Sequence, residues 1–423
     1  MILSVQPSSA QGRCGVPGSK SHAIRAIALG SLASGESRIR NPLDSEDGRS
    51  AAAVYSAMGA EISKQDGLWL IRGVGGKPST PVGVINVGNS GTSCRIGLGT
   101  AALLSDGEAH FDGDAQTRKR PMGPLLEALS SLGASAVSDN GDGCLPARVS
   151  GPWRGGVARV DGATSQYTSS LLLNAPFGKR ESIIEPIDLN EKPYVDMTLW
   201  WLDKLGLSYE REGYERFRVP GGQRLDAFDI EVPADFSSAA FLVAAGAMPG
   251  GDVALEGLDM DDPQGDKAML AIVAEMGTEV SEEDGTIRVR ARGLKGGEFD
   301  LNATPDLLPV MAILGAIAEG ETRLVNVPQA RIKETDRIAA MRQVLESLGG
   351  SATEMPDGLI VRGGGLRGGK THGFNDHRIV MAAAIAGLTA PEGVEVDTAE
   401  AMAITFPDFC ERMCSLGARM ETN

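Results

Sequence analysis

Basic side chains gather in this chain at places that also carry helix-opening residues. Lys20 and Arg25 follow Pro17-Gly18-Ser19, and Arg95 follows Gly88-Asn89-Ser90-Gly91-Thr92. Arg118, Lys119 and Arg120 precede Pro121-Met122. Arg331, Lys333 and Arg337 share one short stretch, and Arg378 stands in Asn375-Asp376-His377-Arg378. A helix start offers unpaired N–H groups and the positive end of the macrodipole. Arginine adds a fork that matches carboxylate and phosphate. The chemistry this points to is the binding of a small ligand with several negative charges. Two carboxylates accompany the cations: Glu334 lies between Lys333 and Arg337, and Asp306 in Thr304-Pro305-Asp306 has its place opposite the basic loops. Such groups can move protons on a bound substrate. On plainer readings Asp306 is a helix cap and Glu334 part of an ion-pair network.

Other residues in these stretches have structural readings. Arg118 and Lys119 read as solvated loop charges, Asp336 as a cap or ion-pair partner, and Trp200 and Trp201 as helix packing. His377 reads as orienting Arg378 or filling a packing position. Arg95 fits two roles equally, a site residue or a stem packed on a helix with its head on a carboxylate. Three common motifs do not hold. Gly363-Gly364-Gly365-Leu366-Arg367-Gly368 has the dinucleotide-binding spacing but falls at a strand end. Gly15-Val16-Pro17-Gly18-Ser19-Lys20-Ser21 has Ser19 where a P-loop needs Gly. His372 and His377 lie in no metal-ligand pattern, so no metal site is expected.

The cations are local exceptions, because the chain carries a net charge of −16. That field repels nucleic acid and anionic membrane. Aromatic residues are 4%, too few for base-stacking platforms. No apolar run approaches the roughly 18 to 20 residues that span a bilayer. The start, Met1-Ile2-Leu3-Ser4, lacks the pattern of a secretory signal, so the expected compartment is the cytoplasm. The five cysteines form no Cys-x-x-Cys pair and read as free thiols.

The elements that hold these residues repeat. Gly59, Gly133, Gly206, Gly277, Gly349 and Gly417 each follow a bulky apolar residue at the end of a helical stretch, at intervals of 68 to 74 residues. Gly35, Gly107, Gly178, Gly251, Gly320 and Gly393 close a second set of helices at intervals of 69 to 73. Two landmarks on one beat indicate six copies of a unit. Each copy reads as β-α-β-α-β-β: a small-residue helix, a short strand, a second helix and a hairpin. The last copy has no final strand after Gly417-Ala418-Arg419, and Ile2-Leu3-Ser4-Val5 is expected to supply it. The expected domains are 19–232, with repeats one to three, and 1–18 plus 233–423, with repeats four to six.

At this point the motifs resemble a known family. Pro17-Gly18-Ser19-Lys20-Ser21 with Arg25, Gly88-Asn89-Ser90-Gly91-Thr92 with Arg95, Arg118-Lys119-Arg120-Pro121-Met122, Arg331-Ile332-Lys333-Glu334-Thr335-Asp336-Arg337 and Asn375-Asp376-His377-Arg378 are similar, in that order, to the signatures of the EPSP synthases (3-phosphoshikimate 1-carboxyvinyltransferases). The resemblance implies an α/β fold of two similar domains, each of three βαβαββ repeats in an inside-out barrel, with the active site in the cleft between them. It implies transfer of the enolpyruvyl group of phosphoenolpyruvate to the 5-hydroxyl of shikimate 3-phosphate. Phosphate leaves by addition and elimination, on the pathway to chorismate and aromatic amino acids. It implies no cofactor and no metal, two small-molecule substrates as partners, and a monomer.

Residue by residue, the resemblance assigns Lys20, Ser21, Arg25, Thr164, Ser165, Gln166, Tyr194, Asp306, Gln329 and Lys333 to shikimate 3-phosphate. It assigns Lys20, Asn89, Gly91, Arg120, Gln166, Arg337 and Arg378 to phosphoenolpyruvate. Asp306 is the expected acceptor of the hydroxyl proton, and Glu334 and Lys20 are the candidates for proton delivery at C3. Three positions depart from the family pattern. Glu191 stands before Lys192-Pro193-Tyr194 where Ser is common, and Gln329 stands where Asn is common. Ile404 stands where many bacterial members carry Lys. The alternatives are UDP-N-acetylglucosamine enolpyruvyl transferase and a non-catalytic binder of phosphorylated metabolites. The former carries a Cys in the loop matching 113–119, which here has none. The latter would not need Asp306 and Glu334 together.

Overall fold

A computed structural model describes all residues, Met1–Asn423. The chain divides into two compact units, Gly18–Val232 and Met1–Pro17 with Pro233–Asn423. They are called here the Gly18 unit and the Pro233 unit.

Each unit holds three four-stranded sheets of one topology. In the Gly18 unit, Val84–Asn86 runs parallel to Ala109–Asp112, which pairs antiparallel with Ala147–Ser150 and, beyond it, Ser135–Ser138. The strands Gly156–Asp161, Ser182–Ile187, Arg216–Val219 and Glu210–Glu212 repeat that order. The third sheet, Ser34–Arg40 with Leu68–Val74 and Glu61–Gln65, takes its parallel edge strand from the far end of the unit, Asp229–Glu231. The Pro233 unit closes in the same way at two places. Gln11–Gly15 runs parallel to Asp252–Glu256. Leu3–Gln6 lies between Val394–Val396 and Arg419–Thr422, so the N-terminal residues do complete the last repeat.

The first helix of each repeat is buried on almost every side. Ala, Gly, Ser and aliphatic residues fill Lys20–Leu32, Gly91–Ala101 and Ser165–Asn174 in one unit, and Phe236–Ala247, Leu308–Ile317 and His377–Gly387 in the other. A helix apolar all round belongs in a core, and within each unit these three helices pack on one another. Small residues set their spacing. A Cβ on Gly99 would stand 2.5 Å from Ser170 Oγ and 2.6 Å from Asn174 Nδ2 on the neighbouring helix. The second helices, such as Glu46–Ala57 and Arg337–Ser347, bury one face only. No helix is long and apolar enough to cross a membrane, and all five cysteines are free.

Candidate active site

The repeat puts an inner helix start near each expected ligand. In the Gly18 unit, Ser19 caps the helix that begins at Lys20, Ser90 the one that begins at Gly91, and Thr164 the one that begins at Ser165. Each cap side chain accepts a hydrogen bond from a first-turn N–H, as an N-cap residue should.

Lys20 Nζ lies 3.1 Å from Asp47 Oδ2, and both side chains are nearly buried. The sequence reading missed Asp47. Its signal was an acidic residue in the first turn of the next helix, after the cap Ser45. Arg25 is fully buried and binds only neutral oxygens: Thr198 Oγ1 at 2.9 Å, the Ser21 carbonyl at 2.9 Å, the Tyr194 carbonyl at 3.0 Å and Ser169 Oγ at 3.3 Å. Burial pulls its pKa down to about 10. A buried guanidinium held by neutral acceptors is suited to an anionic ligand, which would supply the missing counter-charge. The contact between Arg25 and Tyr194 is through the Tyr194 backbone.

Around Gly91 two guanidinium groups come close to backbone. A Cβ there would lie 2.7 Å from Arg120 Nη1 and 3.3 Å from Arg95 Nη1. Glycine is thus what leaves room for both. Arg120 Nη2 donates to Asn89 Oδ1 at 3.0 Å, and the Asn89 amide donates to Asp114 and Gln116. Arg95 Nη1 donates to Gln166 Oε1 at 2.6 Å and Nη2 to the Pro121 carbonyl at 3.0 Å, with the group over the Tyr167 ring. Its partners are an amide and a carbonyl rather than the carboxylate of one sequence reading. Arg118 pairs with Asp112 at 2.5 Å on the surface, as a loop charge does. Thr164 and Ser165 both donate to Glu191, a fully buried carboxylate in a left-handed backbone conformation. A surface cleft of this unit, lined by Gly76, Lys77, Trp153, Phe177 and Arg224, holds none of the expected ligands.

In the Pro233 unit the expected residues form one charge cluster. Asp306, in a short turn before the helix Leu308–Ile317, accepts from Arg337 Nη1 at 2.8 Å and lies 2.9 Å from Arg378 Nη2 and 4.0 Å from Lys333 Nζ. Arg337 also reaches Glu334 at 2.6 Å and Asp376 at 2.8 Å. It is fully buried. Burial opposes its charge, but the carboxylates of Asp376, Glu334 and Asp306 outweigh that and hold its pKa well above the ordinary value. Asp376 is therefore a main counter-ion of Arg337. Asp336 caps the helix Arg337–Ser347 and pairs with Arg331, which also meets Glu354. His377 is buried. Gln329 donates to the Asn302 carbonyl at 2.8 Å, while its buried Oε1 has no partner. Ile404 lies in the apolar core of this unit, 7% exposed.

Asp266 was not anticipated. It opens a short turn at Gln264-Gly265-Asp266, is 2% exposed, and accepts a hydrogen bond from Ser237. Burial and the nearby Asp306 carboxylate push its pKa up to about 7, against the pull of Arg378. Its Oδ1 has no partner.

Six βαβαββ repeats in two units, with cations and hydroxyls at their helix starts, define a protein of the enolpyruvyl transferase class. The sequence pattern of the family described as EPSP synthase (3-phosphoshikimate 1-carboxyvinyltransferase) matches residues 5–413. The 3-phosphoshikimate 1-carboxyvinyltransferase of Acetivibrio thermocellus is 49% identical over 422 residues, and that of Ruminiclostridium cellulolyticum 47% over 421. Both alignments span the whole of each chain. The solved EPSP synthase of Acinetobacter baumannii aligns over all of both chains with a TM-score of 0.82 and 28% identity. The chain belongs to the EPSP synthase family.

Proposed function

We propose that this chain transfers the enolpyruvyl group of phosphoenolpyruvate to the 5-hydroxyl of shikimate 3-phosphate. The products are 5-enolpyruvylshikimate 3-phosphate and phosphate, in the biosynthesis of aromatic amino acids. The enzyme acts as a cytoplasmic monomer. The observation that carries this reading is the placement of Asp306 beside Arg337, Arg378 and Lys333, in a chain of this family.

The residues divide the work. Lys20, Ser21, Arg25, Thr164, Ser165, Gln166, Tyr194, Gln329 and Lys333 hold shikimate 3-phosphate. Lys20, Asn89, Gly91, Arg120, Gln166, Arg337 and Arg378 hold phosphoenolpyruvate, whose phosphate and carboxylate require several cations. Asp306 takes the proton of the 5-hydroxyl as its oxygen bonds to C2 of phosphoenolpyruvate. Glu334 or Lys20 delivers a proton to C3. The tetrahedral adduct then loses phosphate, and the C2–C3 double bond forms again as a proton leaves the methyl group.

Substrate-dependent release of inorganic phosphate tests the assignment. Mixing the purified protein with phosphoenolpyruvate and shikimate 3-phosphate is expected to liberate one phosphate per enolpyruvyl group transferred. Activity with UDP-N-acetylglucosamine in place of shikimate 3-phosphate would refute the assignment, as would binding without turnover.

A further inference from the structure

The start of the helix Ser165–Asn174 already carries an anion, and that anion belongs to the chain. Glu191 Oε2 accepts hydrogen bonds from Ser165 Oγ at 2.7 Å, the Ser165 backbone N–H at 3.0 Å and Thr164 Oγ1 at 3.2 Å. Glu191, Thr164 and Ser165 are all buried, and Glu191 is 0% exposed. These three donors are what a phosphate at a helix N-terminus uses: one main-chain N–H and two hydroxyls, at the positive end of the dipole. A carboxylate is a smaller anion with the same preference for charge-assisted donors.

The backbone adds a second observation. Glu191 sits at φ +56° and ψ +39°, a left-handed conformation uncommon for a residue with a long side chain. It is also the residue just before the helix Lys192–Lys204, where a side chain ordinarily caps its own helix. Glu191 makes no such cap. Its carboxylate is turned instead onto the start of another helix, 26 residues back in the chain.

We infer that the Glu191 carboxylate is an internal occupant of the phosphate seat formed by Thr164 and Ser165, and that a substrate phosphate binds by displacing it. This rests on the functional reading above, in which Thr164 and Ser165 receive the phosphate of shikimate 3-phosphate. One N–H and two hydroxyl protons cannot serve two anions at full strength, and two anions on one seat repel each other. Glu191 therefore lowers the affinity for the phosphorylated ligand. It also keeps the seat's donors satisfied when the ligand is absent, since buried donors without partners are costly. Shikimate has no phosphate to place in this seat, and its one charge is a carboxylate on another carbon of the ring, so competition for the seat is confined to ligands that carry the phosphate.

The test compares calorimetric binding of shikimate 3-phosphate and of shikimate to the wild type, Glu191→Gln and Glu191→Asn. Glutamine keeps the size and removes the charge. Asparagine also shortens the side chain and tolerates a left-handed backbone. The expected result is shikimate 3-phosphate bound at least about ten-fold more tightly by both variants, with shikimate unchanged. If Glu191 only braces the helix start, the variants melt earlier and bind the phosphorylated ligand no better; that result overturns the inference, as does equal tightening for both ligands. A structure of the wild type with shikimate 3-phosphate decides the matter even if the variants do not fold. Glu191 should then have left Ser165, with the phosphate in its place. Shikimate 3-phosphate bound with the Glu191–Ser165 hydrogen bond intact overturns the inference alone, whereas failure of the wild type to bind it overturns the functional reading and this inference together.

Discussion

Arg337 donates to Asp306 across 2.8 Å, so the expected phosphoenolpyruvate ligand and the expected proton acceptor form one ion pair. The same guanidinium holds Glu334 and Asp376. Removing it leaves three carboxylates close together with little water to screen them. Arg337→Ala should cost about 3–5 kcal/mol, the usual loss when one partner of a buried pair is deleted. In a unit of this size that lowers the melting temperature by on the order of 10 °C. Calorimetry of the purified variant checks it, and a melting temperature within a degree or two of wild type would refute it.

Asp306→Asn keeps the shape of the side chain and one acceptor oxygen for Arg337. It removes the base. Turnover should fall by roughly 10²–10⁴-fold, with Michaelis constants changing far less. Steady-state kinetics for both substrates separate the two quantities. A large rise in the constants at unchanged turnover would make Asp306 a binding residue rather than the proton acceptor.

Arg25 should behave in the opposite way. It lies in the Gly18 unit, and its partners are neutral oxygens. Arg25→Ala should weaken shikimate 3-phosphate binding by about ten- to a hundred-fold, the worth of a charge-assisted hydrogen bond, and leave turnover at saturation within a few-fold. Titration calorimetry and initial rates at high substrate test the two halves of that statement.

The repeat could be read in the sequence because glycine is the ordinary way to end a helix and begin the next strand. Gly59, Gly133 and Gly417 all sit at positive φ for that reason. The caps Ser19, Ser90 and Asp336 were equally visible, being local signals a few residues long. The partners of the cations were not. Lys20 with Asp47, Arg337 with Asp376 and Ser165 with Glu191 join residues 26 to 39 positions apart, and no periodicity says which loop meets which. The sequence displayed an anion-binding set of Lys and Arg. The folded chain answers nearly every one of them with a carboxylate or an amide of its own. Asp266 left the faintest signal, one acid in Gln264-Gly265-Asp266 followed at once by Lys267, a local pair that reads as an ordinary surface turn.

That buried acid gives the last prediction. The Asp266 carboxyl is raised to about 7 by burial first and by Asp306 second, while Arg378 and the Ser237 hydroxyl lower it and Asp235 adds a small rise. In the unfolded chain the same group ionises near its ordinary value of 3.8. Between those two values the folded protein holds a proton that the unfolded chain has lost. Stability from this residue is therefore fully present below about pH 4 and is lost as the pH climbs toward about 7. Asp266→Asn keeps an acceptor for Ser237 and cannot ionise. Denaturant titrations of both proteins from pH 4 to 8 should show the wild type losing stability relative to the variant as pH rises, by at least about 1.4 kcal/mol, the equivalent of one pKa unit. The difference should level off once Asp266 is ionised in both states. Parallel curves across that range would mean that Asp266 is charged at neutral pH, and that Arg378 balances it and Asp306 together.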